Sequence, residues 1–151
     1  MSETLTATVD KFTFRVPTDR SYTDEGLWVL WEEGGRIARV GLGDFLQQSS
    51  GDVAFAEMKP VGTVLAAGDA VATIETIKVA IELISPVAGK IVEVNRATRM
   101  APEVINEDPY GRGWLVRLEV SDPKATVSRL LDPPAYFARM KGEAEEAARK
   151  P

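Results

Sequence analysis

The clearest candidate for a reactive group in this 151-residue sequence is one lysine, Lys78, in the segment Glu75-Thr76-Ile77-Lys78-Val79. It is the only basic residue between Lys59 and Lys90, and two β-branched residues flank it. Acylation of such an amine removes its charge and attaches a new chemical group. Most surface lysines are merely solvated, so the surrounding sequence has to show whether this one does more.

Two residue types that carry much of protein chemistry are missing. The sequence contains no Cys and no His, which excludes disulfides, thiolate nucleophiles, Cys-based metal sites and the commonest general base. An enzyme would need converging carboxylates, and the spacing of Glu32, Glu33, Asp44 and Asp52 singles out no pair. We therefore expect no catalytic residues and no metal site. Any redox or group-transfer chemistry would need a bound cofactor.

Composition narrows the class of protein. Hydrophobic residues make up 44% of the chain and charged residues 27%, as in an ordinary globular domain. A net charge of −5 argues against nucleic acid as a partner. No apolar run is long enough to span a bilayer, and the N-terminus has neither the basic start nor the apolar stretch of a secretory signal. These features predict a cytoplasmic protein that binds neither membrane nor nucleic acid.

The elements that must position Lys78 are predicted to be β-strands. Residues 52–95 consist of short apolar runs interrupted by Gly and Pro, with no helical period between them. This pattern is typical of an all-β barrel or sandwich. Two similar segments, Pro60–Leu65 and Pro86–Ile91, flank a hairpin whose predicted tip contains Lys78.

The rest of the chain adds a few elements around this region. Residues 1–9 are expected to be a loose end, and residues 27–31 and 36–40 a hairpin that turns through Glu33-Gly34-Gly35. A short helix is expected to be capped by Asp44. We assign residues 1–132 to the main domain, including an N-terminal extension, and residues 133–151 to a helical extension of that domain.

The C-terminal helix is predicted to begin at Ala135, in a segment dense in Ala and Glu. Tyr136, Phe137 and Met140 lie at helical spacing and form one apolar face. We expect this face to pack on the barrel rather than to bind a partner.

The Glu75–Val79 segment resembles the attachment motif of lipoyl carriers, particularly the glycine cleavage system H-protein family. The resemblance runs from about Tyr22 to about Asp132. It includes Tyr22-Thr23 with Leu27–Val29, Val40–Gln47, Gly51–Glu57, Ser85–Gly89 and, most specifically, Asn106–Leu115. It implies a mainly β barrel-sandwich hybrid with short helices, to which the C-terminal helix is added.

The same resemblance implies a function. Lipoate would be bound covalently to Lys78 by a lipoate-protein ligase or lipoyl transferase, with Glu75 helping to define the site for that enzyme. The arm would visit successive enzymes, including dihydrolipoamide dehydrogenase, and its flexible tether raises its effective concentration at each active site. The protein would then be a monomeric carrier without catalytic residues of its own.

This sequence departs from the family pattern in the cleft that holds the lipoyl arm once the arm carries its substrate group. The family's His-Glu-Trp segment is Gly26-Leu27-Trp28 here, and a common histidine is replaced by Phe45. Leu27 cannot accept a hydrogen bond or pair with an amine. A further acidic residue, four positions after the lysine, remains as Glu82. The candidate residues for a cleft that shelters the arm are Glu25, Leu27, Phe45 and Glu82.

These departures bear on what the arm carries. A more apolar cleft suits a soft sulfur adduct. Through Glu75–Val79 and Gln47–Asp52 the sequence is similar to the H-protein-like lipoate-binding proteins that act beside a heterodisulfide-reductase-like complex in sulfur oxidation. We predict transport of sulfur intermediates, with transport of an aminomethyl group between glycine cleavage enzymes as the alternative. A biotin carrier, whose lysine usually lies between methionines, and an adaptor with an unmodified Lys78 remain as further alternatives.

Overall fold

The computed structural model describes residues 3–122 and 130–149, and its strands are all antiparallel where they pair. The strands are β1 (Thr4–Val9), β2 (Phe12–Pro17), β3 (Ser21–Tyr22), β4 (Leu27–Glu32), β5 (Ile37–Leu42), β6 (Val53–Met58), β7 (Val64–Leu65), β8 (Ala70–Thr76), β9 (Ala80–Ile84), β10 (Gly89–Val94) and β11 (Val116–Val120). The helices are α1 (Asp44–Ser50), α2 (Arg96–Met100), α3 (Val104–Glu107) and α4 (Pro133–Arg149).

Two sheets share the main core. One has six strands in the order β3-β4-β5-β11-β10-β7, and the other has three in the order β6-β8-β9. Their inward-facing side chains form one hydrophobic cluster, which includes Val40 and Leu118 from the large sheet and Ile74 and Leu83 from the small one. Burial of this apolar surface holds the sheets together, and the small sheet carries the hairpin with Lys78.

A second, smaller core joins both ends of the chain to the sheets. β1 and β2 form a separate hairpin, and Phe14 and Val16 of β2 pack in this core with Tyr136 and Met140 of α4. The rings of Tyr22 and Tyr136 stack with centroids 4.6 Å apart. The N-terminal hairpin and α4 therefore stabilise each other against the edge of the large sheet.

Several sequence predictions are confirmed. β4 and β5 form the expected hairpin, which turns through a short 3₁₀ helix at Glu33–Gly35. The C-terminal helix is present but begins at Pro133, and Tyr136 and Met140 are buried while Phe137 is half-buried. Within the described residues no helix is both long and apolar enough to cross a membrane.

Two local predictions are wrong. Thr4–Val9 is a strand rather than part of a loose end, because its alternating pattern lets Leu5, Ala7 and Val9 face the protein while β2 supplies its hydrogen bonds. The cap of α1 is Gly43, and Asp44 is the first helical residue. The Asp44 carboxylate instead accepts hydrogen bonds from neighbouring groups, so it serves tertiary structure rather than the helix end.

Candidate functional site

Lys78 lies at the tip of the β8–β9 hairpin, as the sequence predicted. Glu75 pairs with Ala80 at the end of the ladder, and the Thr76 amide donates a 2.8 Å hydrogen bond to the Val79 carbonyl. The turn therefore needs only two residues, Ile77 and Lys78, between these hydrogen-bonded positions. Such a short turn on a paired hairpin presents the Lys78 side chain from a fixed backbone.

The hydroxyl of Thr76 gives the tip further support. Its oxygen accepts hydrogen bonds from the backbone amides of Lys78 and Val79, each 3.1 Å long. Threonine hydroxyls commonly satisfy turn amides in this way. This role was not predicted from the sequence, although a Thr two residues before the lysine at a turn is a signal for it.

The amine of Lys78 is available for reaction. The side chain is exposed, and no ion pair involves it within residues 3–122 and 130–149. Its neighbours at the tip are also exposed: 93% of Ile77 and 45% of Val79 are accessible. Phe55, which pairs with Glu75 across β6 and β8, is 67% exposed. An enzyme that modifies Lys78 therefore meets a largely apolar surface, and the exposed Glu75 lies on the same hairpin.

A groove of about 320 Å³ opens beside Lys78. A methyl group placed on Gly51 would lie 3.8 Å from both Cδ and Cε of Lys78, so the aliphatic stem of the lysine passes over the end of α1. The groove is lined by Val9, Asp10, Phe12, Phe14, Phe45, Gln48, Ser49, Lys78, Ala144, Ala147 and Ala148. These residues come from the N-terminal hairpin, α1, the Lys78 tip and α4.

Buried hydrogen bonds fix α1 against the N-terminal hairpin. Asp44 is 6% exposed, and its carboxylate accepts hydrogen bonds from the Arg15 amide at 3.0 Å and from the Gln47 side chain at 2.8 Å. The hydroxyl of Tyr110 accepts the Asp44 amide and donates to the Arg15 carbonyl. Burial raises the pKa of Tyr110 above its ordinary value, which keeps the phenol protonated as this donor role requires.

Asn106 fixes the other end of α1, next to Lys78. Its amide nitrogen donates to the Gly51 carbonyl at 3.1 Å and to the Gln47 side chain at 3.0 Å, and its oxygen accepts the Val53 amide at 2.9 Å. One side chain thus holds both the end of α1 and the start of β6. The Asn106–Leu115 segment thus positions the surface over which Lys78 lies.

The structure brings only some of the predicted site residues together. Phe45 lines the groove beside Lys78, and Glu75 lies on the same hairpin. Leu27 is 1% exposed in the main core, so its side chain does not face the groove. Glu25 and Glu82 are exposed, and neither lines the groove.

Three of the four carboxylates considered for catalysis are engaged by other groups of the protein. Glu32 makes ion pairs with Arg39 and Arg117, and Glu33 pairs with Arg117 at 3.2 Å. Asp44 is engaged in the hydrogen bonds described above. No cluster that could hold a metal ion occurs in the part of the chain that the structure describes. What the arrangement does offer is a free amine on a rigid tip beside an apolar groove, which fits a covalently attached group with a long aliphatic chain.

Comparison with known proteins gives a consistent result. The family model described as "Glycine cleavage H-protein" matches residues 20–143. The chain is 47% identical over 128 residues to the glycine cleavage system H protein of Beutenbergia cavernae, covering 85% of this chain and 98% of that protein. It is 46% identical over 121 residues to that of Chlorobium limicola, covering 80% and 94% respectively.

A solved structure is also similar. The crystal structure of a glycine cleavage system H protein from Mycobacterium marinum superposes with a TM-score of 0.74 at 33% identity, and the match covers 82% of this chain and 98% of that one. The predicted mainly β fold is thereby confirmed. The family match begins at residue 20, so the N-terminal hairpin lies outside it.

Proposed function

Because this chain belongs to the glycine cleavage H-protein family, we propose that it carries an aminomethyl group on a lipoyl arm attached to Lys78. The family makes the protein a lipoyl carrier rather than an enzyme, with lipoate bound covalently to a lysine. The observation that carries our assignment of Lys78 is its position: it is exposed, unpaired among the described residues and fixed at a hairpin tip inside the matched segment.

The sulfur-carrier prediction is not supported. The matched family model and the relatives named above are glycine cleavage proteins, so they favour the alternative that the sequence analysis left open. The sulfur prediction also relied on an apolar cleft that includes Leu27, but Leu27 lies in the main core. It cannot make a lipoyl cleft more apolar from there. The heterodisulfide-reductase-like complex is accordingly not proposed as a partner.

The residues around the tip would serve attachment and presentation. Thr76 holds the backbone of Lys78 in one conformation, so the attaching enzyme meets the lysine at a fixed point on the protein surface. Glu75 would favour the correct enzyme through electrostatic complementarity. When bound, lipoate supplies the reactive sulfur that this Cys-free chain lacks, and amide formation removes the lysine charge.

The partners follow from this role. We infer attachment by a lipoate-protein ligase or lipoyl transferase in the cytoplasm, followed by visits to the glycine cleavage enzymes and to dihydrolipoamide dehydrogenase. The exposed apolar tip, with Ile77 and Val79 beside the lysine, offers these enzymes a contact surface. The tether then makes each encounter effectively intramolecular once the protein has docked.

The proposal is tested by the intact mass of the protein from its native host, followed by fragmentation of the Lys78 peptide. We expect a lipoyl increment on Lys78, absent from a Lys78→Arg variant and retained in a Lys90→Arg control, since Lys90 is also exposed but lies on β10. Incubation with the glycine-decarboxylating enzyme and glycine should then add an aminomethyl group. A biotin increment, a sulfur adduct or an unmodified Lys78 in lipoate-producing cells would contradict the proposal.

A further inference from the structure

Another groove lies at the far end of the small sheet from Lys78. The β6–β8 ladder begins beside the hairpin tip, at Val53 and Thr76, and ends at Met58. The five residue steps from Val53 to Met58, at about 3.3 Å each, span roughly 17 Å. A groove of about 840 Å³, the distal groove, opens there between the end of β6, the end of β10 and α2. It shares no lining residue with the groove beside Lys78.

The lining of the distal groove is partly apolar and is held in place by a buried side chain. Met58 is buried, and Val94 and Trp114 are half-buried. The amide nitrogen of the buried Asn95 donates to the Trp114 carbonyl at 2.7 Å, and its oxygen accepts the Ala97 amide at 3.1 Å. One side chain thus fixes the start of α2 against the segment with Trp114. The distal groove therefore has defined walls before any ligand is present.

The rim of the distal groove has an excess of positive charge. Two of its three basic residues, Lys59 and Arg96, are exposed and form no ion pair among the described residues. Its two carboxylates are each paired with an arginine, in the ion pairs Glu57–Arg99 at 3.3 Å and Glu93–Arg117 at 2.8 Å. The chain as a whole has a net charge of −5, so this surplus is local. Such a surface attracts a negatively charged partner.

Trp114 adds a free hydrogen-bond donor to this surface. The indole nitrogens of Trp28 and Trp31 donate to protein oxygens at 2.9 and 3.2 Å, whereas that of Trp114 donates to no other described residue. The guanidinium carbon of Arg39 lies 5.0 Å from the centroid of the Trp114 ring, which packs the ring against the large sheet. An aromatic ring with a free N–H binds an apolar group and an acceptor at once. Trp114 can therefore contact both an apolar side chain and a carboxylate.

These features together define the ligand. We propose that the distal groove binds an acidic peptide segment of a partner protein, with carboxylates beside Lys59 and Arg96 and an apolar side chain against Trp114. The charge of the rim is complementary to such a segment. Eight of the thirteen lining residues are exposed, so the groove is open and accommodates an extended chain. A site for a small molecule would instead enclose most of its ligand.

Binding at the far end of the sheet has a use in a carrier. The partner would be one of the enzymes that accept the arm, and this part of the inference rests on the proposed function. An enzyme held at the distal groove leaves the Lys78 tip uncovered. The arm could then enter and leave the active site while the two proteins stay associated, and the contact would raise the effective concentration of the arm. Attraction between opposite charges would also speed the encounter.

The first test titrates the full-length, unmodified protein with the synthetic peptide acetyl-Glu-Asp-Leu-Phe-Glu-Asp-amide and follows NMR signals. We expect the indole N–H of Trp114 and the backbone amide of Arg96 to shift, while the indole N–H of Trp31, which does not line the groove, stays in place. A peptide with Gln and Asn in place of Glu and Asp should bind at least about fivefold more weakly at low salt. No shift at Trp114, or equal binding of the two peptides, would overturn the inference whether or not Lys78 carries lipoate.

The second test reverses charge on the rim. Lys59→Glu and Arg96→Glu should each weaken binding of the acidic peptide about threefold, as expected for exposed charge pairs, and together about tenfold. Lys141→Glu, on an exposed position of α4, changes the net charge equally and should leave binding unchanged. Equal weakening by Lys141→Glu would show a general effect of net charge and would overturn the groove.

The third test measures transfer by the lipoylated protein. The double variant Lys59→Glu/Arg96→Glu should raise the KM of at least one arm-accepting enzyme for the carrier about tenfold and leave kcat unchanged, because the Lys78 tip is intact. Lys141→Glu is again the control. Unchanged KM values with every arm-accepting enzyme would overturn the docking of a partner at the distal groove and leave the proposed function intact. An unmodified Lys78 would overturn the proposed function, whereas the peptide titration would still decide whether the groove binds an acidic segment.

Discussion

The backbone amide of Lys78 donates a 3.1 Å hydrogen bond to the hydroxyl oxygen of Thr76, two residues earlier. The same oxygen accepts the Val79 amide, so one side chain satisfies both turn amides next to the candidate attachment site. The Lys78 side chain has to move between enzymes, whereas its backbone is held in place. Flexibility is confined to the side chain and whatever is attached to it.

Removing this hydroxyl should impair attachment more than folding. We expect Thr76→Val to slow lipoate transfer to Lys78 severalfold and to lower the free energy of unfolding by about 0.5–1.5 kcal/mol, the usual net value of a hydrogen bond. The measurements are the rate of lipoyl incorporation and chemical denaturation. Thr73→Val on the same strand is the control, because Thr73 precedes the turn. Equal incorporation rates for the two variants would contradict the role given to Thr76.

The buried carboxylate of Asp44 should be important for stability. Asp44→Ala leaves the Arg15 amide and the Gln47 side chain without their acceptor, which we expect to cost about 1–3 kcal/mol. Denaturant unfolding measures the loss, and hydrogen exchange at the Arg15 amide should become faster as β2 loosens. Asp52→Ala, at an exposed position just after α1, should change stability little. If both variants unfold alike, the hairpin is not anchored through Asp44.

Replacement of two glycines by alanine should change the free energy of unfolding in opposite directions. Gly51 ends α1 at φ 93° and ψ −173°, a conformation essentially restricted to glycine, so Gly51→Ala should cost about 1–3 kcal/mol. Gly142 lies inside α4 with open space around it, so Gly142→Ala should add about 0.5–1 kcal/mol. Thermal and denaturant unfolding of both variants give the comparison. If Gly51→Ala stabilised the protein, the backbone after α1 would have to adopt another conformation, which would contradict this prediction.

Stability should fall at high pH because of buried tyrosines. Burial raises the pKa of Tyr110 above its unfolded value of about 10, so the folded state holds its proton more tightly. The resulting stabilisation is complete below the unfolded pKa and is lost as the pH rises through the folded one. Unfolding measured at pH about 8 and about 11 should show the loss, and Tyr110→Phe should reduce its slope. Identical slopes would mean that Tyr110 does not contribute.

The pH effect has contributions from two other rings. Tyr22 and Tyr136 are buried, and desolvation raises the pKa of each of them as well. Tyr110→Phe should therefore reduce the slope without removing it. The variant also loses the hydrogen bonds to Asp44 and Arg15, so its stability at neutral pH should already be lower than that of the wild type.

The sequence by itself determined the elements that depend on local pattern. The short apolar runs of residues 52–95, with two similar segments on either side of Lys78, predicted a hairpin with Lys78 at its tip, because strand pattern is set by neighbouring residues. The apolar spacing of Tyr136 and Met140 predicted a packed C-terminal helix for the same reason. The long resemblance, which includes Asn106–Leu115, identified the family but did not show what those residues do in the structure. The structure shows that Asn106 and Tyr110 form hydrogen bonds with the two ends of α1.

Only the tertiary structure decided what surrounds the lysine. The side chain at position 27 points into the core because strand pairing sets which face of β4 is buried, and the motif alone could not show this. The groove joins Phe12, Phe45, Lys78 and Ala148, which are far apart in sequence. Apolar burial is non-directional, so nothing in a local pattern states which distant surfaces will meet. Their meeting beside Lys78 follows from how the two ends of the chain pack on the sheets.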